Sequence, residues 1–362
     1  MALKVGSVQD CGKSFAVPQQ KNVPPGMNRT DGGIYCKQGS AFYAVYLFEL
    51  RAAPAGSNRQ YPKSQRLYGR GRSVLFERIR QYGYTPEITP KGGLLVCLGG
   101  EGEGLLLGAH IDTLGAMVRE VKANGALRVA PVGGLQANNT ETETVHVYTR
   151  AGKVLEGTLQ LENASVHVNG EYSKTQRTFD TLELLLDAKT HSAAETRALG
   201  VDVGDYVAVE PRFNVTETGF IKSRFLDDKL SAAILLAYAK YLKDTGRRPR
   251  RRVYVDFTVF EEVGHGGAVI PQDVVEMLSV DMGCVGTGLQ CDETMVSICV
   301  MDSKGPSHKA VVDGLVEAAL RAGALRAGCL SPLFLGCGRS GLRRQRCTAL
   351  CGGGWCVCFS RI

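Results

Sequence analysis

Residues 253–267 read Val-Tyr-Val-Asp-Phe-Thr-Val-Phe-Glu-Glu-Val-Gly-His-Gly-Gly, a mostly apolar, strand-like run that ends on two adjacent glutamates. At the end of a buried strand, Glu261 and Glu262 repel each other unless a cation or a proton intervenes. A purely structural reason for this pair is hard to find. Other polar residues in the chain also follow apolar runs.

Three further acidic signals have this placement. His110 and Asp112 belong to Gly-Ala-His-Ile-Asp-Thr-Leu-Gly at 108–115, Asp227 opens a helix within Leu-Asp-Asp-Lys at 226–229, and Asp281 lies in Ser-Val-Asp-Met-Gly at 279–283. Taken singly, each has a structural explanation. His110 and Asp112 could be a polar pair at a strand end, Asp227 a carboxylate favoured by the helix dipole, and Asp281 a turn residue. Taken together, one imidazole and several carboxylates suit a hydrolytic site with two divalent metals.

The periodicity predicts an α/β fold: a mixed, mostly parallel sheet sandwiched by helices, with the site at the carboxyl ends of the strands. Gly99–Gly104 is interpreted as a turn. The predicted strands are Tyr84–Thr89, Leu94–Leu98, Leu105–Ala109, Val253–Val259, Leu278–Val280 and Met295–Met301, and the predicted helices are Ser73–Tyr82, Lys229–Lys243, Ile270–Met277 and His308–Ala322.

Between the two halves of this pattern, residues 116–211 change to short alternating segments separated by turn residues. This texture predicts an inserted β-rich domain, which leaves 73–115 and 212–317 as the catalytic domain. The predicted strands of the insertion are Leu127–Val132, Thr144–Thr149, Thr158–Leu161, Ser165–Val168, Leu182–Leu186 and Tyr206–Val209.

Both ends of the chain depart from this pattern. Residues 1–72 show no lasting periodicity, and residues 318–362 contain no Asp or Glu but seven Arg and six Cys. The spacing of those cysteines does not match a zinc ribbon. The tail accounts for most of the net charge of +7, so the charge does not indicate nucleic-acid binding. We hypothesise that both ends are translated out of frame.

Composition favours a cytoplasmic protein. Hydrophobic residues make up 44% and charged residues 22%, as in ordinary globular proteins. No apolar run reaches the ~18 residues of a membrane span. The start of the chain does not have the pattern of a signal peptide.

The four signals, in this order, resemble the motifs of the TET-type glutamyl aminopeptidase family of dinuclear metallopeptidases, over about residues 82–306. The resemblance implies that His110 and Asp281 hold one divalent metal and that Glu262 holds the second. It implies that Asp227 bridges the two metals. It further implies Glu261 as general base, with Asp112 supporting His110. The two metals would be Zn, Co or Mn.

The same resemblance implies short peptides as substrates and no nucleic-acid or membrane partner. The insertion looks like the family's apical domain, which takes part in assembly, so a homo-oligomer is expected. Members often form tetrahedral dodecamers.

One feature departs from the family. In the family, the second metal takes a further histidine from near the C-terminus. This chain has no His after His308. His265 is interpreted as a loop residue. A catalytically impaired or inactive subunit of the same fold, and another dinuclear-clan hydrolase such as a deacylase or carboxypeptidase, therefore stay as alternatives.

Overall fold

The computed structural model describes residues 2–4, 69–217, 220–283, 285, 287, 296, 298–302, 305–321, 330–332, 346–348, 351–352 and 355–361. The expectations for 1–72 and 318–362 fall largely on residues outside these ranges. They stay predictions.

Four α-helices and twenty strands make up the described elements. In chain order they are β1 (Ala2–Lys4), α1 (Gly69–Gln81), β2 (Pro86–Ile88), β3 (Leu94–Gly99), β4 (Glu101–His110), β5 (Gly115–Val121), β6 (Leu127–Val132), β7 (Thr144–Tyr148), β8 (Val154–Leu161), β9 (Leu182–Leu186), α2 (Ala193–Ala198), β10 (Tyr206–Val209), β11 (Asn214–Val215), β12 (Phe220–Lys222), α3 (Leu226–Thr245), β13 (Arg251–Thr258), β14 (Val274–Asp281), β15 (Ile298–Asp302), β16 (Gly305–Pro306), α4 (Lys309–Arg321), β17 (Leu330–Pro332), β18 (Arg346–Thr348), β19 (Cys351–Gly352) and β20 (Trp355–Arg361).

The central sheet has the order β18-β20-β14-β4-β13-β3-β2, with β19 paired to β20. Strand β4 lies between β13 and β14 and runs parallel to both. The other described pairs in this sheet are antiparallel. The predicted mixed α/β sheet is confirmed, but the expected predominance of parallel strands is wrong for this sheet.

A tight turn explains part of that difference. The chain reverses at Gly99 and Gly100 so that β3 and β4 lie on either side of β13. A Cβ on Gly100, whose φ is +89°, would lie 1.9 Å from the carbonyl oxygen of Arg251, so only glycine fits where the chain crosses the start of β13. The turn predicted over Gly99–Gly104 is therefore shorter than expected, and β4 begins at Glu101.

Two predicted elements are wrong. The helix expected at Ile270–Met277 is instead the approach to β14 and its first half, where Val274 and Val275 lie in a strand. A short apolar run does not distinguish helix from strand, and pairing with β4 decided the outcome. The strand expected at Ser165–Val168 is a turn, closed by N–H donation from Val168 and Asn169 to the carbonyl of Ser165.

Helices α1 and α3 cover one face of the central sheet. Leu75 and Ile79 of α1 and Leu236 of α3 are completely buried against it. Alternate residues of β13, Val253 through Val259, point into this core, and the cluster also includes Leu107 and Ala109 of β4. Because side chains alternate along a strand, Tyr254, Asp256 and Thr258 lie on the opposite face.

Residues 115–209 form a closed barrel of six strands in the order β10-β5-β6-β9-β8-β7. Its interior is a second apolar core, with Val118, Val129, Val145, Val147 and Leu159 among the most buried residues. The segment 116–211 thus supplies its own hydrogen-bonded sheet and core. Its boundaries as a separate domain stay a prediction.

Within the described ranges, none of the helices combines the length and the apolar character required to cross a lipid bilayer.

Candidate metal centre

The three parallel strands deliver polar residues to one edge of the sheet. His110 is the last residue of β4, Asp281 is the last residue of β14, and β13 is followed within three residues by a short 3-10 turn, Glu261–Val263. Because carboxyl ends of parallel strands meet at the same edge, these groups converge. The start of α3 brings Asp227 and Asp228 to the same place.

The backbone is strained immediately before both acidic pairs. Phe225 precedes Leu-Asp-Asp and Phe260 precedes Glu-Glu, and both adopt left-handed conformations with φ of 62° and 66°. Such a conformation costs a bulky residue about 1–3 kcal/mol and is concentrated at functional sites. The peptide between Asp227 and Asp228 is cis.

His110 is the hub of the site and is only 3% exposed. Its Nδ1 lies 3.1 Å from the carbonyl oxygen of Asp112, and its Nε2 lies 2.9 Å from Oδ1 of Asp227. Donation of the Nδ1 proton to that carbonyl leaves the Nε2 lone pair facing the carboxylates, where it can bind a metal. The backbone N–H of His110 donates to Oδ2 of Asp228 at 3.1 Å.

The surrounding carboxylates also set the charge of His110. Burial lowers the pKa of its imidazole. The hydrogen bonds to Asp112 and Asp227, together with the negative charges of Asp281 and Asp228, outweigh burial and hold the pKa well above the ordinary value. The raised pKa favours the protonated imidazole, so metal binding at Nε2 competes with a proton.

Asp112 connects the histidine to the glutamate turn. Its Oδ1 accepts the backbone N–H of Glu261 and its Oδ2 accepts that of Glu262, both at 3.2 Å. The sequence suggested that the carboxylate orients the imidazole. In the structure the carbonyl oxygen of Asp112 makes the shorter contact with Nδ1, while its Oδ1 lies 3.5 Å away. The carboxylate mainly fixes the position of the two glutamates.

Burial disfavours the charged forms of the ionisable groups at this site. Burial, followed by the charge of Asp281, raises the pKa of Asp228 well above its usual range. Burial is also the main reason that the pKa of Asp281 rises to about 7 and that of Glu262 to about 8, with Asp227 adding to both. Burial lowers the pKa of Lys229 to about 8 despite the surrounding carboxylates.

The donor atoms fall into two groups suited to divalent metals. One contains His110, Asp228 and Asp281, the other contains His110, Asp227 and Glu262, and within each the donor atoms lie within 4.8 Å of one another. The buried Oδ1 of Asp228 has no hydrogen-bond partner. Imidazole and carboxylate donors, clustered and mutually repelling, fit the chemistry of Zn, Co or Mn.

The structure thus brings together all six residues predicted from the sequence. Glu261 borders both donor groups, with its Oε2 at 3.7 Å from Nε2 of His110. The sequence reasoning did not assign Asp228 to the site, although its position beside Asp227 was a signal. His265 lies in the loop after the glutamate turn, as predicted, and belongs to neither donor group.

The profile of the M42 glutamyl aminopeptidase family matches residues 92–324. The chain is 41% identical over 232 residues to the candidate aminopeptidase YhfE of Bacillus subtilis (strain 168), which covers 63% of this chain and 67% of YhfE. It is 27% identical over 206 residues to the glutamyl aminopeptidase of Lactococcus lactis subsp. cremoris (strain MG1363), which covers 55% of this chain and 56% of that relative. This chain therefore spans little more than half of the second relative.

A solved structure of the TET1 peptidase of Pyrococcus horikoshii, described as assembling into a tetrahedron or a large octahedral shell, superposes with a TM-score of 0.68. The identity is 22%, and the superposition covers 82% of this chain and 86% of that one, which shows a shared fold. The family match extends over more than half of the chain and includes every residue of the two donor groups. The chain belongs to the M42 glutamyl aminopeptidase family.

Proposed function

We propose that this chain is a metal-dependent aminopeptidase that removes N-terminal residues from short peptides. The observation that carries the proposal is the joint placement of His110, both donor groups and the glutamate turn at one strand edge. The names of the relatives agree with this activity.

In this proposal His110 and Asp281 would hold one divalent ion, Asp227 would bridge, and Glu262 would hold the second. The buried carboxylate of Asp228 lies in the first donor group and also accepts the N–H of His110, so it would anchor that ligand. Bound divalent ions supply Lewis-acid polarisation of the peptide carbonyl and a water of lowered pKa.

Glu261 is the proposed general base. Its side chain is 23% exposed and thus accessible from the open side of the site, whereas Glu262 faces the Asp227 carboxylate. Glu261 would take a proton from the attacking water and pass it to the leaving amine nitrogen. A positioned carboxylate of this kind contributes about 10²–10⁴-fold to the rate. The two N–H bonds from the turn to Asp112 hold this carboxylate in place.

The missing distal histidine leads to a second part of the proposal. The chain has no His after His308, and the family match ends at residue 324, close to the change in composition near residue 322. Both observations support the hypothesis that the tail is out of frame. If the tail is genuine, the second ion loses a ligand and binds weakly, which is the impaired-subunit alternative.

We further propose a cytoplasmic homo-oligomer. The TET1 peptidase of Pyrococcus horikoshii can assemble into a tetrahedron, so a tetrahedral dodecamer is the expected state of this chain. The closed barrel of residues 115–209 would correspond to the apical domain of such an assembly.

The test compares an unblocked short peptide with its N-acetylated form on protein reloaded with Zn, Co or Mn after chelation. We expect cleavage of the unblocked peptide alone and a loss of about 10²–10⁴-fold in kcat for Glu261→Gln, while the exposed Glu317→Gln keeps wild-type activity. Two metals per chain support the enzyme, and one or none supports the inactive subunit. Preferential cleavage of the acetylated peptide would instead indicate a deacylase.

A further inference from the structure

A second buried carboxylate lies outside the metal centre. Asp256 is in the middle of β13, on the sheet face opposite α1 and α3, and is 3% exposed. Its Oδ1 is completely buried and has no hydrogen-bond partner. A buried carboxylate without a partner is costly, so it must either hold a proton or have a cation beside it.

Asp256 is also one of the residues that line a small pocket. Its walls come from the turn between β2 and β3, from β13, and from the loop after the glutamate turn; they include Thr89, Thr258, His265 and Gly267. The pocket has room for one small occupant and too little for an organic molecule. The exposed His265 lies at its border with solvent.

The lysine in the lining of this pocket has another partner. Lys91 lines the same pocket, but its Nζ donates to the carbonyl oxygen of His265 at 3.1 Å and lies 5.9 Å from the centre of the Phe260 ring. Burial alone accounts for the raised pKa of Asp256, about 7, with no contribution from a neighbouring charge. The carboxylate therefore lacks an electrostatic partner among the described side chains.

We propose that this pocket binds a single alkali-metal cation, sodium or potassium, on Asp256. One carboxylate balances one positive charge, and the lining also includes Thr89 and Thr258, whose hydroxyl oxygens are of the kind that hard cations prefer. None of the pocket residues belongs to the two donor groups of the metal centre.

The position of the pocket gives the ion a role. Gly267, Ala268 and Val269 line it, and they lie in the loop that follows the glutamate turn. A Cβ on Gly266 would lie 3.0 Å from Cγ of Glu261, so this loop packs closely against the proposed base. An ion that ties the loop to β13 would position Glu261; this role, unlike the binding itself, rests on the proposed function.

The experiment measures thermal unfolding of the protein as purified, in sodium, potassium or choline chloride at equal ionic strength. We expect the midpoint to rise by about 2 °C or more in at least one alkali salt relative to choline, because a ligand that binds only the folded state stabilises it. Comparing sodium with potassium identifies the preferred ion.

For Asp256→Asn, and likewise for Asp256→Val, the unfolding midpoint should not differ between the three salts. The midpoint of Glu317→Gln should rise in the alkali salts as that of the wild type does. Equal midpoints for the wild type in alkali and choline salts would overturn the proposal, as would an alkali response that survives in both Asp256 variants. Valine provides the test if the asparagine variant does not fold. Peptidase activity is not part of the readout, so failure of the proposed function leaves this result interpretable.

Discussion

Asp112→Asn is expected to weaken metal binding through the glutamate turn. The wild-type carboxylate accepts one backbone N–H on each oxygen, from Glu261 and Glu262 at 3.2 Å. Asparagine keeps one accepting oxygen and presents an NH₂ group to the other N–H, so one hydrogen bond to a charged acceptor is lost. Such a bond is worth about 1.5–3 kcal/mol, and the unpaired buried donor adds about 1–3 kcal/mol.

The expected loss of unfolding free energy is therefore roughly 2.5–6 kcal/mol in metal-free protein. Misplacing Glu262 should also reduce metal affinity by about 10–100-fold, the usual effect of removing a group that orients a ligand. Urea unfolding of chelator-treated protein gives the first quantity. Competition with a chromophoric chelator gives the second.

Asp205→Asn is the matched control. Asp205 is 1% exposed, and its two carboxylate oxygens accept the backbone N–H groups of Arg150 at 3.2 Å and Asp202 at 2.8 Å, within the barrel. This variant should lose similar stability while its metal affinity stays unchanged. Wild-type metal affinity in Asp112→Asn, or equal weakening in Asp205→Asn, would refute the reasoning.

Three further predictions concern the acidic groups. Glu262→Gln should reduce the bound metal from two ions to one per chain by elemental analysis, whereas Glu261→Gln should retain both ions and lose turnover; the reverse pattern would exchange the two roles. Chelation should lower the melting temperature, because the repelling carboxylates lose their cations, and adding Zn or Mn should restore it; an unchanged midpoint would contradict a folded-state metal site. The folded-state pKa of Asp256, about 7, lies above its ordinary value of 3.8, so the protonated carboxyl stabilises the fold below about pH 4 and this contribution is lost as pH rises to 7. In choline buffers the wild type should therefore lose about 4 kcal/mol relative to Asp256→Asn between pH 4 and 8, and parallel stability profiles would show that burial does not perturb Asp256.

Much of the site could be predicted from local sequence because several of its candidate ligands are adjacent acidic residues. Glu261-Glu262 and Asp227-Asp228 are uncommon pairs at the ends of apolar runs, and the strand edge collects them whatever the loop conformations are. The sequence marks Asp228 only as the neighbour of Asp227 and does not show that it faces Asp281. Asp228 becomes a candidate ligand only because the turn at the start of α3 buries it beside Asp281.

Errors in the fold prediction have a common physical origin. The run 270–277 contains enough apolar residues for either a helix or a strand. Backbone pairing with β4 makes its second half a strand. The antiparallel neighbours of β13 and β14 likewise depend on pairings between segments distant in sequence, which local periodicity does not encode.

By itself, the sequence predicted the α/β class, a β-rich insertion and six residues at a metal centre, because periodicity and the placement of polar residues are properties of neighbouring residues. Its motifs also resemble those of the family to which the chain belongs. The tertiary structure alone decided which oxygen meets which donor: Asp112 bound to the glutamate turn, Asp228 buried beside Asp281, and Asp256 left without a partner. Burial and hydrogen bonding between distant segments set these contacts, and through them the charge that each carboxylate carries.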